Sequence, residues 1–250
     1  MFSSSRSPLR RAGPKLVIAR MRALASLSAQ EEAVIAGLGD WRWEPAGIEL
    51  ARAIQPLNPR VLVSGSAARV RELQDGRRQI IGLVLPGDGI GLSRRPSPIA
   101  QCPVVALTPI QTLDATPVVL AIADRAAYPG LSAAVDVASA LDEAWLVDQV
   151  VRLGRLTAYE RLAHLILEIR SRLTALDMDA EGRLPFPLTQ EMLADATGLS
   201  MVHVNRTLQQ LRRNKLVEIG HGRLRVLDAA ALRDIADFHE PDPKAWISDL

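Results

Sequence analysis

The sequence predicts an α+β chain in which an N-terminal small β-sandwich or barrel is joined by a long helix to a C-terminal winged helix-turn-helix. Three observations predict it. Short apolar runs recur between about Arg42 and Ala123, helical periodicity returns from about Leu131, and Leu188 to Val226 reads LTQEMLADATGLSMVHVNRTLQQLRRNKLVEIGHGRLRV. The expected organisation is a disordered tail over 1–15, a barrel domain with N-terminal helices over 16–130, and a long helix with the helix after it over 131–174. A hinge over 175–187 and the winged module over 188–250 complete it.

Composition sets the outer bounds. A chain of 250 residues is long enough for two domains with cores of their own, and 48 % apolar with 23 % charged residues describes a globular chain. No apolar run approaches the length of about 18 residues that a membrane span needs. The N-terminal MFSSSRSPLRRAGPK lacks the apolar centre of a secretory signal, so a cytoplasmic location without a membrane partner is expected. One cysteine, Cys102, excludes an internal disulfide and a four-cysteine cluster. The four histidines, His164, His203, His221 and His239, all lie in the C-terminal part, so no metal or haem centre is expected in the barrel, and no cofactor is assigned.

Residues 1–15 are rich in Ser, Arg and Pro and read as a solvated tail. From Leu16, the spacing of Leu24, Leu27, Val34, Ile35 and Leu38 predicts one or two short helices, with Ser28 as the cap before Ala29-Gln30-Glu31-Glu32. Trp41 and Trp43 follow at strand spacing. Arg60–Ser64, Ala68–Leu73, Gln79–Leu85, Val104–Leu107 and Val118–Ile122 are the candidate strands. Asp75-Gly76 makes a hairpin turn, and Pro86-Gly87-Asp88 closes the strand before it.

Beyond Leu131, Leu146, Val150 and Leu153 follow helical spacing and Val147 and Val151 widen their stripe; Leu162, Leu165, Ile166, Ile169 and Leu173 repeat the pattern. The first stripe is too apolar for a helix lying on a barrel with its other side in water. It packs either against its copy in a second subunit or into the core of its own chain. Asp177, Asp179, Glu181, Gly182, Pro185 and Pro187 mark the hinge, and Asp228 caps a last helix reaching about Phe238.

The winged module carries the chemistry. Thr189 caps a short helix with Met192, Leu193 and Ala196 on one side, Gly198 supplies the positive φ of a tight turn, and Ser200 caps a second helix running to about Asn214. Val204, Leu208 and Leu211 form its buried stripe. The opposite arc holds Val202, Arg206, Gln209 and Arg213, with Asn205 on its flank. Arg offers a fork to guanine, and Asn or Gln an amide to adenine, so Val202, Asn205, Arg206 and Gln209 are the candidate base readers in a major groove. Ser200, His203, Arg212, Arg213, Lys215 and Arg223 are the candidate phosphate contacts. From His203 to Arg225 six cationic side chains stand against one acid, Glu218, a local charge of +5 in a chain of net +2. Leu216–Ile219 and Arg223–Val226 around Gly220-His221-Gly222 predict the hairpin wing.

Two other readings compete. A winged helix also serves as a protein-interaction module without DNA. An enzyme built on the barrel lacks a carboxylate pair, a histidine and a Gly-rich phosphate loop, and Cys102 has no evident base, so no catalytic residue is assigned. Cys102 itself is either a redox switch or a small buried hydrophobe beside Val104 and Val105.

The order barrel, long helix, hinge, winged helix resembles the Crp/Fnr family of bacterial transcription regulators. Asp75 to Gly82 with Leu85-Pro86-Gly87-Asp88 is similar to the central barrel strands of that family, and Glu160 to Glu168 to its helix after the dimer helix. Gly198 to Leu208 is similar to its turn and recognition helix, the most specific of the matches. The resemblance implies an N-terminal β-barrel of the jelly-roll, cyclic-nucleotide-binding-like type and a homodimer joined through the long helix. That dimer would bind double-stranded DNA at a two-fold related site and touch RNA polymerase as activator or repressor. Arg206 matches the base-reading arginine of the family. Many members place an acidic residue where this chain has Val202, which touches a thymine methyl but cannot accept from cytosine; Met201 departs likewise from the usual polar residue. In cyclic-nucleotide binders a Glu follows the glycine after the Pro-Gly-Asp segment, and an Arg-Ser or Arg-Thr pair comes further on. Here Gly91 is followed by Leu92, Arg94 and Arg95 are out of place, and Ser97 to Cys102 holds no Arg. The cysteine cluster of oxygen-sensing members and the haem ligands of the carbon-monoxide sensor are also missing. Cyclic AMP is therefore not the expected effector, and any small-molecule effector is unassigned.

Overall fold

The computed structural model describes residues 8–51, 58–93, 102–176, 178, 184–186 and 188–242. Helix α1 (Pro8–Leu24) begins well inside the stretch expected to be a tail. The correction has a physical basis: Val17, Met21 and Leu24 recur at helical spacing and are buried, and the turns before them extend the same helix. Helix α2 (Ala29–Ala36) starts at Ser28, as expected, with a reciprocal capping box to Glu31.

Two antiparallel sheets follow. One has the order β1 (Trp41–Glu44), β8 (Ile110–Asp114), β3 (Arg60–Ser64), β6 (Gly89–Ile90); the other is β2 (Glu49–Ala51), β7 (Val104–Ala106), β4 (Ala67–Glu72), β5 (Arg78–Val84). Leu62, Ile90 and Ile110 from the first sheet meet Ala67, Val84, Val104 and Ala106 from the second, and these side chains fill the space between the sheets. Val61 and Val63 point the other way, into the cluster that holds Val17 and Met21 of α1. Both faces of β3 are covered, so it reads as a continuous apolar run.

Val118–Ile122, expected as a strand, is instead mostly helical. Helix α3 (Thr116–Ala121) has Pro117 in its first turn, and Asp114 Oδ1 accepts from the Thr116 amide at 2.8 Å. Short apolar runs do not distinguish strand from helix. The strand is Ile110–Asp114, whose Gln111 and Thr112 hide its character. Arg94, Arg95 and Ser97 to Gln101 lie outside the described residues, as do 1–7 of the expected tail and most of the hinge.

Helix α4 (Pro129–Arg155) starts against α2, where the Glu31 carboxylate accepts from the Leu131 amide at 2.8 Å. Burial opposes ionisation of Glu31, but the amides of Ser28, Leu131 and Gly130 override it and hold the carboxyl below its ordinary range. Helix α5 (Ala158–Thr174), capped by Thr157, buries Leu162, Leu165, Ile166, Ile169 and Leu173. Between barrel, α4 and α5 runs a buried ladder of charges. Arg69 pairs with Asp142 at 3.0 Å, Arg20 and Arg172 meet Asp88, and Glu168 lies between Arg172 and Arg152. On its outer side α4 leaves Val147, Val150 and Val151 exposed, with Leu146 and Leu153 half-buried. Among the described residues no helix is long and apolar enough to cross a membrane.

Candidate DNA-reading surface

Helix α6 (Gln190–Thr197) is capped by Thr189, whose hydroxyl accepts from the Met192 amide, and ends at Gly198 with φ +65°. That is the left-handed turn the sequence requires. A Cβ at Gly198 would also lie 3.3 Å from Leu153 Cδ2. Gly198→Ala is therefore expected to destabilise the chain by about 1–2 kcal/mol, combining left-handed strain with that contact, as read from urea unfolding. An unchanged midpoint would show that the turn tolerates a side chain.

Helix α7 (Met201–Arg213) starts at Ser200, whose hydroxyl accepts from the His203 amide at 3.3 Å and lies 3.1 Å from its ring Nδ1. Val204, Thr207, Leu208 and Leu211 are buried. The arc of Val202, Asn205, Arg206, Gln209 and Arg213 is exposed, Val202 to 77 %. With no acid in the first turn of α7, its N-terminal amides and dipole are available to an anion beside these side chains.

The wing is a three-stranded sheet of β10 (Val217–Gly220), β11 (Arg223–Val226) and β9 (Leu184–Pro185). Its third strand comes from the stretch expected to be a hinge. Leu184 and Phe186 alternate with Pro185 and are buried, a period-two signal too short to separate from a Pro-rich connection. Lys215 leaves the helix at φ +56°, and His221 and Gly222, also at positive φ, turn the hairpin. Arg212 is half-buried and donates to the Ile219 carbonyl at 2.8 Å, so part of this candidate phosphate contact joins α7 to the wing. Arg213, Lys215 and Arg223 are exposed. An open groove of about 590 Å³ runs along the wing, lined by Arg212, Lys215, His221, Arg223 and Arg225 over Val217, Ile219 and Leu227. Arg225 is 3.9 Å from Glu218 and, with both half-exposed, that pair leaves the groove positive. Cys102, half-buried just before β7, does not line this groove. Among the described residues no group of three or more His, Cys, Asp or Glu side chains is placed to hold a metal.

Helix α8 (Ala229–Ala236), capped by Asp228, packs on α5, and Phe238 beyond it stacks on Trp145 of α4. The winged module is thus fastened to the long helix, and its reading arc faces outward.

A filled β-sandwich, a long helix with an exposed apolar face and a winged helix-turn-helix with a basic, outward arc define a class: a two-part DNA-binding regulator. Residues 160–235 match the Crp-like helix-turn-helix domain. The chain is 36 % identical over 166 residues to the nitrogen fixation regulation protein FixK of Bradyrhizobium diazoefficiens, covering 66 % of this chain and 68 % of that protein. It is 30 % identical over 167 residues to the transcriptional activatory protein AadR of Rhodopseudomonas palustris, covering 67 % and 68 %. The structure of FixK2 from Bradyrhizobium japonicum superposes with a TM-score of 0.66 at 23 % identity, over 80 % of this chain and 98 % of that one, which shows the shared fold. The chain belongs to the Crp/Fnr family of DNA-binding transcription regulators.

Proposed function

We propose that the chain regulates transcription as a homodimer that binds a two-fold symmetric DNA site in a sequence-specific manner. The observation that carries this reading is the exposed arc of α7, where Val202, Asn205, Arg206 and Gln209 stand side by side on a helix whose other side is fully buried. In a major groove Arg206 forks onto guanine, Asn205 and Gln209 offer amides to adenine, and Val202 packs on a thymine methyl. Ser200, His203, Arg213, Lys215 and Arg223, with the free part of Arg212, hold phosphates around it. Two copies of α4 pack through Val147, Val150 and Val151 and bring two reading helices to one face of the duplex. Contact with RNA polymerase follows from the role.

The barrel carries no cyclic nucleotide on this reading. Leu92 stands where the nucleotide binders of the family present an acid, and its apolar side chain folds over Gly89, where a Cβ would lie 2.3 Å from Leu92 Cδ1, toward the cluster that holds Val17 and Met21. Leu62, Val84, Ile90 and Ile110 fill the interior.

Selection of duplexes from a random pool by the purified protein, with no ligand and with cyclic AMP, tests this. A two-fold symmetric site recovered equally in both arms is expected; a site that needs cyclic AMP overturns the reading of Leu92, and no enrichment at all favours a protein partner. On the recovered site, Arg206→Ala should cost about 1–3 kcal/mol per half-site and relax preference at one base pair. Arg213→Ala should weaken all sequences alike and reduce the salt slope by about 1. Equal loss on every sequence for Arg206→Ala would remove it from the base readers.

A further inference from the structure

The last carbonyls of an α-helix have no partner within it. In α6 those of Asp195, Ala196 and Thr197 accept from Gln79 Nε2 at 2.7 Å, Gln149 Nε2 at 2.7 Å and Arg161 Nη1 at 3.1 Å. The three donors come from three different elements, β5, α4 and α5. Beside them the Asp195 carboxylate accepts from Arg78 Nε and Nη2 at 2.8 and 2.6 Å. The end of the first helix of the reading module is therefore held by the barrel, the long helix and the helix after it at once.

Gln149 is the most constrained of these donors. It is 6 % exposed, its amide nitrogen also reaches the Ile80 carbonyl at 3.1 Å, and its Oε1 accepts from Arg152 Nη1 at 2.7 Å. Arg152 is in turn held by Glu168. The amide cannot rotate without breaking a buried bond on each side. Gln149 also sits on the side of α4 away from the exposed Val147, Val150 and Val151. One helix thus presents an apolar face outward and a fixed amide inward, onto the helix that precedes α7 by the three residues Gly198, Leu199 and Ser200.

We propose that Gln149, assisted by Gln79 and Arg161, is a positioning residue for DNA reading: it sets the angle of α7 to α4 and so the separation of the two reading helices in the dimer. This deepens the proposed function and rests on its paired half-sites. It makes the spacing of the site a property of the chain itself, built in by three capped carbonyls.

The test uses the full chain and a duplex library in which the selected half-site is repeated at every separation across one helical turn. The wild-type protein should enrich one separation. Gln149→Met, which keeps the length of the side chain and removes its amide, both the donor to α6 and the acceptor of Arg152, should lower the preference for that separation about tenfold, the worth of the one buried hydrogen bond to α6 left unmade. Half-site sequence preference and affinity for a single half-site should not change. Gln79→Met, at a half-buried position, should broaden the spacing in the same way and serves if Gln149→Met does not fold. A spacing preference as sharp as the wild type's in the folded variants overturns the proposal, as does an equal loss at every separation. Failure of the wild-type protein to enrich any paired site overturns instead the reading of the dimer on which it rests, and is seen before a variant is compared.

Discussion

Glu168→Ala is expected to cost about 3–5 kcal/mol of folding stability, the cost of leaving buried charge without its partner. Glu168 is 4 % exposed and bridges Arg152 and Arg172, themselves 2 % and 8 % exposed. Without it, Arg152 keeps only the Gln149 and His164 acceptors and Arg172 keeps Asp88 and the Leu83 carbonyl. Arg152→Met should cost less than Glu168→Ala, because it leaves Glu168 its second partner, Arg172. Urea unfolding followed through Trp145, whose ring lies 6.0 Å from Arg172, reads both. A loss below about 1 kcal/mol for Glu168→Ala would mean that water reaches the ladder.

The same ladder sets the acid limb of stability. Burial and the charge of Arg152 push His164 down from 6.5 to about 4, and Arg152, a donor only, requires Nδ1 to accept. Between those two values the unfolded chain binds a proton that the folded chain refuses, so stability falls as the pH drops from 6.5 toward 4. Glu168 follows. Burial opposes its ionisation, Arg152 and Arg172 override that, and its folded carboxyl titrates below the ordinary range. Its contribution is whole above about 4.3, the unfolded value, and is lost below it. His164→Gln, which keeps an acceptor for Arg152, should flatten the upper stage and leave the lower one. An unaltered slope between pH 6.5 and 4 would show that His164 does not set the upper stage; Asp88, whose burial is overridden by Arg172 and Arg20, is held below 3.8 and acts only below that window.

The reading module was legible because its signals are local. Gly198, the caps Thr189, Ser200 and Asp228, and the arc from Val202 to Arg213 each follow from spacing within a turn or two. The barrel was legible where a turn residue bounded an apolar run, as at Asp75-Gly76, and failed where it did not: Val118–Ile122, expected as a strand, is mostly helical, and the strand Ile110–Asp114 was not marked at all. What the sequence hides is pairing across distance. Gln79 and Gln149 look like solvated residues until α6 is brought to them, and nothing in the spacing of Arg152, Glu168 and Arg172 marks them as one buried group. Arg212 shows the reverse, a cation expected to be free that is partly committed to the Ile219 carbonyl.

Val150→Glu is expected to leave the fold intact and to lower affinity for the paired DNA site by about a hundredfold or more. Val147, Val150 and Val151 are 62 %, 65 % and 47 % exposed, so in the single chain a carboxylate at 150 meets water and changes stability by no more than about 0.5 kcal/mol. In the proposed dimer it meets its copy near the two-fold axis, where two like charges lose their hydration in an apolar seam. Separation of the subunits removes the linkage that makes the second half-site an intramolecular partner, and that linkage is worth about 10²–10⁴ in affinity. Sedimentation of the free protein and titration of the paired and single sites read the two consequences separately. A variant that is monomeric and has lost affinity only for the paired site supports α4 as the seam. A dimer that persists with full affinity would place the seam on another surface, and a monomer that keeps full affinity would mean that one α7 with its wing suffices to hold the site.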